Sequence, residues 1–257
     1  MNFKVLIRRS LLALLFVFST SLAGYANGGF SSETLKYVIS YKWGIIHKDA
    51  GEAVLHSHLS GDKYQFTLTA KTKPWADRVF KVRDTLSATV SATKFRPLKY
   101  VKSAHEGDRY ARDIIKFSYT GSRVMGQCQR FRDKKGKQSD SSLSLSADAP
   151  AFDMLSVFYW LRTIDLAALT KEKTRKVTIF SGSKAETLTI RMIGEEDVKL
   201  KGGSRIKAWH LKFNFTTAGR KKSSDDIDCW LSADGRKIPL LLVGTLPVGQ
   251  VKCYYIG

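Results

Sequence analysis

From Thr34 to the C-terminus the chain keeps returning to a two-residue period, broken by short turn signals. In YQFTLTAKT, Tyr64, Phe66, Leu68 and Ala70 fall on one face, and Gln65, Thr67, Thr69 and Lys71 on the other. DTLSATVSA repeats the pattern, with Leu86, Ala88 and Val90 set against Thr85, Ser87, Thr89 and Ser91. Successive side chains of a strand point to opposite faces, so strict alternation marks antiparallel sheet buried on one side. Ser60-Gly61-Asp62, Glu106-Gly107-Asp108 and Thr120-Gly121-Ser122 punctuate these runs as tight turns. Many short strands joined this way must curl to protect their edges. The pattern predicts a mainly β protein with strongly curled antiparallel sheets or a barrel-like sheet.

One stretch breaks the period. DMLSVFYWLR, Asp153 to Arg162, is apolar nearly all round and reads as a helix over about 150–163. It falls short of the roughly 20 apolar residues that span a bilayer. Asp148-Ala149-Pro150 fits a helix entry, Asp153 or Ser156 fits a cap, and Arg162 suits the negative end of the helix dipole. The economical burial site is the concave face of the curled sheet. Residues 133–148, DKKGKQSDSSLSLSAD, read as a polar surface loop with a single short strand. After Leu169 the strands resume: a hairpin around Gly182, then IKAWHLKFNFTT, then a meander through DIDCWLSA, KIPLLLVGTL and QVKCYYIG. SATKFRPL (Ser91 to Leu98) echoes SADGRKIPL (Ser232 to Leu240), which leaves open two similar half-sheets, about 34–148 and 170–257, joined by the helix.

The N-terminus MNFKVLIRRSLLALLFVFSTSLAGYA has a basic start, an apolar run and small residues at a cleavage position. It reads as a signal peptide over residues 1–26, with one β-rich domain over 27–257. No Cys follows the apolar run, so a lipoprotein anchor is not expected. The expected location is the periplasm or cell envelope. Net charge is +20, and about +17 after cleavage. Such a field favours anionic partners; export makes nucleic acid a poor one and leaves envelope phospholipid, lipopolysaccharide or acidic glycan, with peripheral contact to an anionic membrane included.

Recognisable chemistry is sparse. Cys128, Cys229 and Cys253 lie far apart in apolar contexts, as buried thiols or as one bridge with a thiol left over. His56 and His58 share a strand face without a third ligand at metal-binding spacing. Ser181-Gly182-Ser183-Lys184 formally fits SxxK but falls in a hairpin turn, where the spacing does not align the two side chains. No catalytic, metal or cofactor motif stands out, and the expectation is a non-enzyme without a cofactor.

The stretches YVISYKWGIIHKDAGEAVL, VRDTLSA, RPLKY, DMLSVFYWLRTIDL and RKIPLLLVGTLPVGQV, taken in this order, resemble the bacterial exported family catalogued as domain of unknown function 3108. That resemblance implies an exported, mostly β protein and carries no established activity. A fainter, fold-level likeness is to periplasmic lipoprotein carriers, unclosed β-barrels with helices over an apolar cavity. Arg83, Asp84 and Arg162 lie within the family-like stretches. They fit either an ion pair fastening the helix to the sheet or a polar mouth gripping an anionic headgroup. With Leu155, Phe158 and Tyr159 they are the candidate ligand-lining or helix-anchoring residues. The reading is a module that binds a lipid or another amphiphilic or anionic envelope component. The alternative is a structural or interaction protein that docks on anionic glycan or a protein partner and has no cavity.

Overall fold

The computed structural model describes residues 32–217, 223–246 and 249–257. The expected signal peptide, the basic run Arg220 to Lys222 and the turn at Pro247-Val248 lie outside the described residues. Eight consecutive strands form an antiparallel meander: β1 (Glu33–Trp43), β2 (Ile46–Ser60), β3 (Lys63–Thr72), β4 (Val82–Ser91), β5 (Arg96–Glu106), β6 (Arg109–Thr120), β7 (Arg123–Lys134) and β8 (Lys137–Asp148). A short helix α1 (Pro74–Asp77) interrupts it between β3 and β4. The chain then makes β9 (Ala151–Asp153), α2 (Ser156–Thr163) and α3 (Leu166–Glu172). Six more strands follow: β10 (Thr174–Phe180), β11 (Ala185–Lys199), β12 (Arg205–Thr217), β13 (Ile227–Ser232), β14 (Pro239–Thr245) and β15 (Gln250–Tyr255).

All fifteen strands belong to one sheet, ordered β8 back to β1, then β15 back to β9. The two runs of strands on either side of the helix are therefore continuous, sealed where β1 pairs with β15 from Tyr37↔Tyr255 to Lys42↔Gln250. The sheet comes almost full circle, leaving β8 and β9 as its edges. Side chains rather than backbone hydrogen bonds fill the seam. Phe180 of β10 stacks on Phe117 of β6 with centroids 5.6 Å apart. Gly126 of β7 makes room for it, since a Cβ there would lie 2.6 Å from the Phe180 ring.

Antiparallel neighbours send their turns alternately to two ends. One end, the upper rim, carries the β1–β2 turn at Gly44-Ile45, the 73–81 segment, the turns at Gly107 and Gly136, and the β10–β11 hairpin. The lower rim carries the start of β1, the β2–β3 turn and residues 233–238. The main core fills the concave side, where the alternation of β1 and β3 places Leu35, Tyr37, Phe66 and Leu68 inward. A smaller cluster buries Val198, Ala208, Leu241 and Val243 separately from it.

Two local readings are corrected. Residues 133–148 do not form a loop: β7 runs to Lys134 and β8 is a twelve-residue strand. Its hydrophobic pattern is faint because it is an edge strand exposed over most of its length, so few positions need apolar side chains. The helix starts at Ser156 rather than near 150, because Ala151–Asp153 first pair in parallel with Thr178–Phe180 of β10. The buried Asp153 carboxylate then starts the helix, accepting from the Leu155 and Ser156 N–H groups at 2.8 Å each. Ser156 Oγ donates back to it at 2.8 Å. A second helix, α3, escapes the hydrophobic pattern; its Asp165 cap accepts from Ala167 and Ala168 N–H.

Candidate functional site

The concave face divides into two chemically different halves. Toward the lower rim it is closed by α2. Tyr159 stacks on Phe66 of β3 with centroids 3.5 Å apart and planes 10° from parallel. Phe158 meets Phe213 of β12 edge-on at 6.0 Å. Leu155, Val157 and Leu161 are buried with them. Each aromatic pair is worth about 0.5–1.5 kcal/mol beyond its area. The helix is thus held by both halves of the sheet. Arg162, 1% exposed, ends it. Its guanidinium meets Glu33 Oε2 of β1 at 3.3 Å and donates twice to the Arg236 carbonyl at 3.2 Å. Burial pushes the Glu33 carboxyl up to about 7 against the pull of Arg162.

Toward the upper rim the same face becomes polar. Cross-strand register places Leu86, Lys102, Asp113, Arg130 and Ser141 side by side on β4 to β8. The next row reads Asp84, Ala104, Ala111, Arg132 and Ser139, and the row at the rim Val82, Glu106, Arg109, Lys134 and Lys137. Asp113 binds Arg132 at 2.6 Å and Arg130 at 3.3 Å. Asp84 is 2% exposed, and among the described residues neither of its oxygens accepts a hydrogen bond of ordinary geometry. Desolvation lifts its carboxyl to about 7, with Lys102 opposing and Glu106 adding to the rise. Burial likewise depresses the Lys102 ammonium. The Tyr100 hydroxyl, one row deeper, is also without a partner among the described residues.

At the rim these rows open into a pocket of about 210 Å³. Ala104 and Ala111 are small enough to leave the space; Glu106, Arg109, Arg132 and Lys134 wall it. It is smaller than the roughly 300–1,000 Å³ of drug-sized ligand sites, so it suits a compact polar group. Arg132 is committed to Asp113, while the ion pair of Arg109 among the described residues is a loose 3.8 Å contact with Asp108. A larger trough of about 790 Å³ lies beside Tyr110, Arg112, Phe131 and Asp140. Register puts most of its lining on the convex side of β6–β8, where it is an open groove between side chains.

The six candidate residues do not form one constellation. Leu155, Phe158, Tyr159 and Arg162 pack at the lower end. Arg83 and Asp84 are sequence neighbours on one strand and so face opposite sides. Arg83 points outward and grips Asp77 of α1 through its two terminal guanidinium nitrogens, at 3.0 and 2.7 Å. This pair and the Thr72 hydroxyl hold the Asp77 carboxyl down at about 2. Asp84 points inward to the polar half. Glu33, Lys102, Glu106, Arg109 and Asp113 were missed by sequence reasoning. Their signal was a charge at a position where the alternation demands a core residue.

Lys73, Arg78, Lys81, Lys134, Lys135 and Lys137 gather at the upper rim, whereas Lys171 to Lys176 belong to the opposite end. Cys128, Cys229 and Cys253 are buried free thiols. Cys229 and Cys253 flank Leu242 from the two neighbouring strands, a separation of about 10 Å, too wide for a bridge. His56 lies on the convex face with its ring 2.8 Å from the Thr34 hydroxyl. Ser181 to Lys184 form the β10–β11 turn. Among the described residues no group of three His, Cys, Asp or Glu side chains is placed to hold a metal ion. No helix among them is long and apolar enough to cross a membrane.

Comparison with known proteins adds two findings. The family model described as "Protein of unknown function (DUF3108)" matches residues 36–255. The crystal structure of a beta-barrel-like protein of domain of unknown function DUF1849 from Brucella abortus superposes with a TM-score of 0.59. The two chains share 11% identity, over 88% of this chain and 96% of that one. At that identity the likeness establishes the barrel-like fold alone. No curated protein matches the sequence.

Proposed function

The chain belongs to the DUF3108 family, whose function is unknown, and from that premise we propose that it is an exported, non-enzymatic module that binds the anionic headgroup of an envelope amphiphile. The observation that carries this reading is the division of the concave face. Where an acyl chain would have to lie, the helix aromatics are stacked on the wall. Where the interior reaches the rim, the open space is small, and Arg109, Arg132 and Lys134 line it together with the acids Glu106 and Asp133. A phosphate or carboxylate there would take charge-assisted hydrogen bonds from Arg109 and Lys134. Glu106 would accept from a neighbouring hydroxyl. Headgroup recognition replaces the enclosed lipid cavity as the basis of binding.

Titration calorimetry of the mature protein with glycerol 3-phosphate at low salt tests the reading. Binding is expected, with no heat from glycerol. Each charge-assisted bond is worth about 1.5–3 kcal/mol. The Arg109→Gln/Lys134→Gln variant should therefore lose at least about tenfold in affinity. An unchanged affinity in that variant, or no binding by the wild type, would overturn it.

A further inference from the structure

The β1–β2 turn is built from the wrong residues for a turn in water. Two-residue hairpin turns favour Asn, Asp and Gly. Here the sequence is Trp43-Gly44-Ile45-Ile46, with Trp43 paired to Ile46 across the turn. Gly44 supplies the positive φ of 54°. Ile45 beside it has no such excuse: it is fully exposed, at 103%, and Trp43 is 52% exposed. Val79, in the adjoining segment after α1, is exposed by the same 52%. These elements are one surface. Trp75 of α1 donates its indole N–H to the Asp49 carbonyl of β2 at 2.8 Å, and the Lys48 ammonium lies 4.6 Å from the Trp75 ring.

The charge around the apolar tips is predominantly positive. Lys42, Lys48, Lys73, Arg78 and Lys81 belong to the same surface. Its acids are already occupied: Asp77 by Arg83, Asp49 by Lys201, and Glu52 by Lys71. Lys42 and Arg78 have no ion-pair partner among the described residues. A Trp flanked by Lys is the side-chain set that sits at the boundary between headgroups and acyl chains.

We propose that the upper rim docks on an anionic phospholipid bilayer, with the Trp43-Gly44-Ile45 tip and Val79 entering the interface and the five basic residues lying on the headgroups. Docking in this orientation turns the rim pocket of Glu106, Arg109, Arg132 and Lys134 toward the membrane. It deepens the headgroup reading but rests on different residues, so the two can fail separately. The convex strand faces, which carry Lys63, Lys71, Lys99 and Lys116 outward, stay in water.

Vesicle flotation of the mature protein tests it, with phosphatidylcholine alone and phosphatidylcholine mixed with phosphatidylglycerol. The protein is expected to float with the mixed vesicles only, and less at high salt. Trp43→Ser/Ile45→Ser should lose binding by at least about tenfold, since burying two such side chains is worth several kcal/mol. That variant should keep the wild-type melting temperature and its affinity for glycerol 3-phosphate. Lys81→Gln should lose roughly fivefold, the share of one basic residue near an anionic surface. Flotation of the double variant equal to wild type, or no flotation of the wild type, overturns the docking. In the second case, retained glycerol 3-phosphate binding would leave the pocket reading standing.

Discussion

Replacing Asp84 by Asn should stabilise the protein at alkaline pH far more than at acid pH. The carboxyl is 2% exposed, and neither oxygen accepts a hydrogen bond of ordinary geometry among the described residues. Burial raises its pKa from 3.8 to about 7, against the pull of Lys102 and the His105 backbone N–H. A carboxyl whose folded pKa is raised binds its proton more tightly in the folded state. Its stabilising share is therefore fully present below about 4 and lost as pH rises toward 7. Between pH 5 and 8 the folded protein gives up a proton that the unfolded chain has already lost. Over the two pH units from 5 to 7, at about 1.36 kcal/mol per unit, this costs roughly 2.7 kcal/mol. Asn does not titrate. Any cost of an unpartnered amide is the same at both pH values and cancels in the difference. Urea unfolding followed by tryptophan fluorescence should give an Asp84→Asn effect about 2–3 kcal/mol more favourable at pH 8 than at pH 5. Lys102 opposes the rise and Glu106 adds to it, so replacing either would change the size of the effect. An equal effect at both pH values would mean that Asp84 stays ionised in the fold. The account of an isolated buried carboxyl would then be wrong.

Three further outcomes follow from the same geometry. Arg162→Met strands Glu33 in the interior and should cost about 3–5 kcal/mol at pH 8; in urea unfolding, adding Glu33→Gln should recover part of it, and additive losses would refute the pairing. Tyr159→Ala removes the ring stacked on Phe66 and should cost about 3–5 kcal/mol, with glycerol 3-phosphate affinity unchanged by calorimetry; a loss of affinity in a folded variant would tie the helix to the ligand. Burial raises the Cys128 and Cys253 thiols to about 11 and about 12, so a thiol reagent at pH 8 should react slowly with native protein and release three equivalents on unfolding; fast native reaction would contradict the packed interior.

Much of the sheet is legible in the sequence, because strands such as β3 and β4 bury one face and leave the other in water. The turns at Gly61, Gly107 and Gly121 carry their own chemistry. β8 is not legible, since an exposed edge asks little of its side chains. β9 hides because three residues are too few to show a period. The contact between Arg162 and Glu33 spans 129 residues, and no local pattern encodes a partner that distant. The polar half of the interior is legible only in retrospect. Lys102 and Glu106 sit in phase with Tyr100 and Ala104, as Asp113 and Arg109 do with Ile115 and Ala111. Charges in the core phase of an alternating strand are the trace of a polar site. Local composition reads them as ordinary surface charge.

The central claim is that recognition happens at the basic rim while the helix half of the interior stays filled. A nitrogen-15 NMR titration of the mature protein with a short-chain phosphatidylglycerol, kept below its micelle concentration, tests this with headgroup and acyl chains on one molecule. The largest amide shifts should fall on Glu106, Arg109, Arg132 and Lys134, with Leu155 to Arg162 unmoved. Shifts centred on Leu155, Phe158 and Tyr159 would show the chains displacing the helix, and would contradict the account.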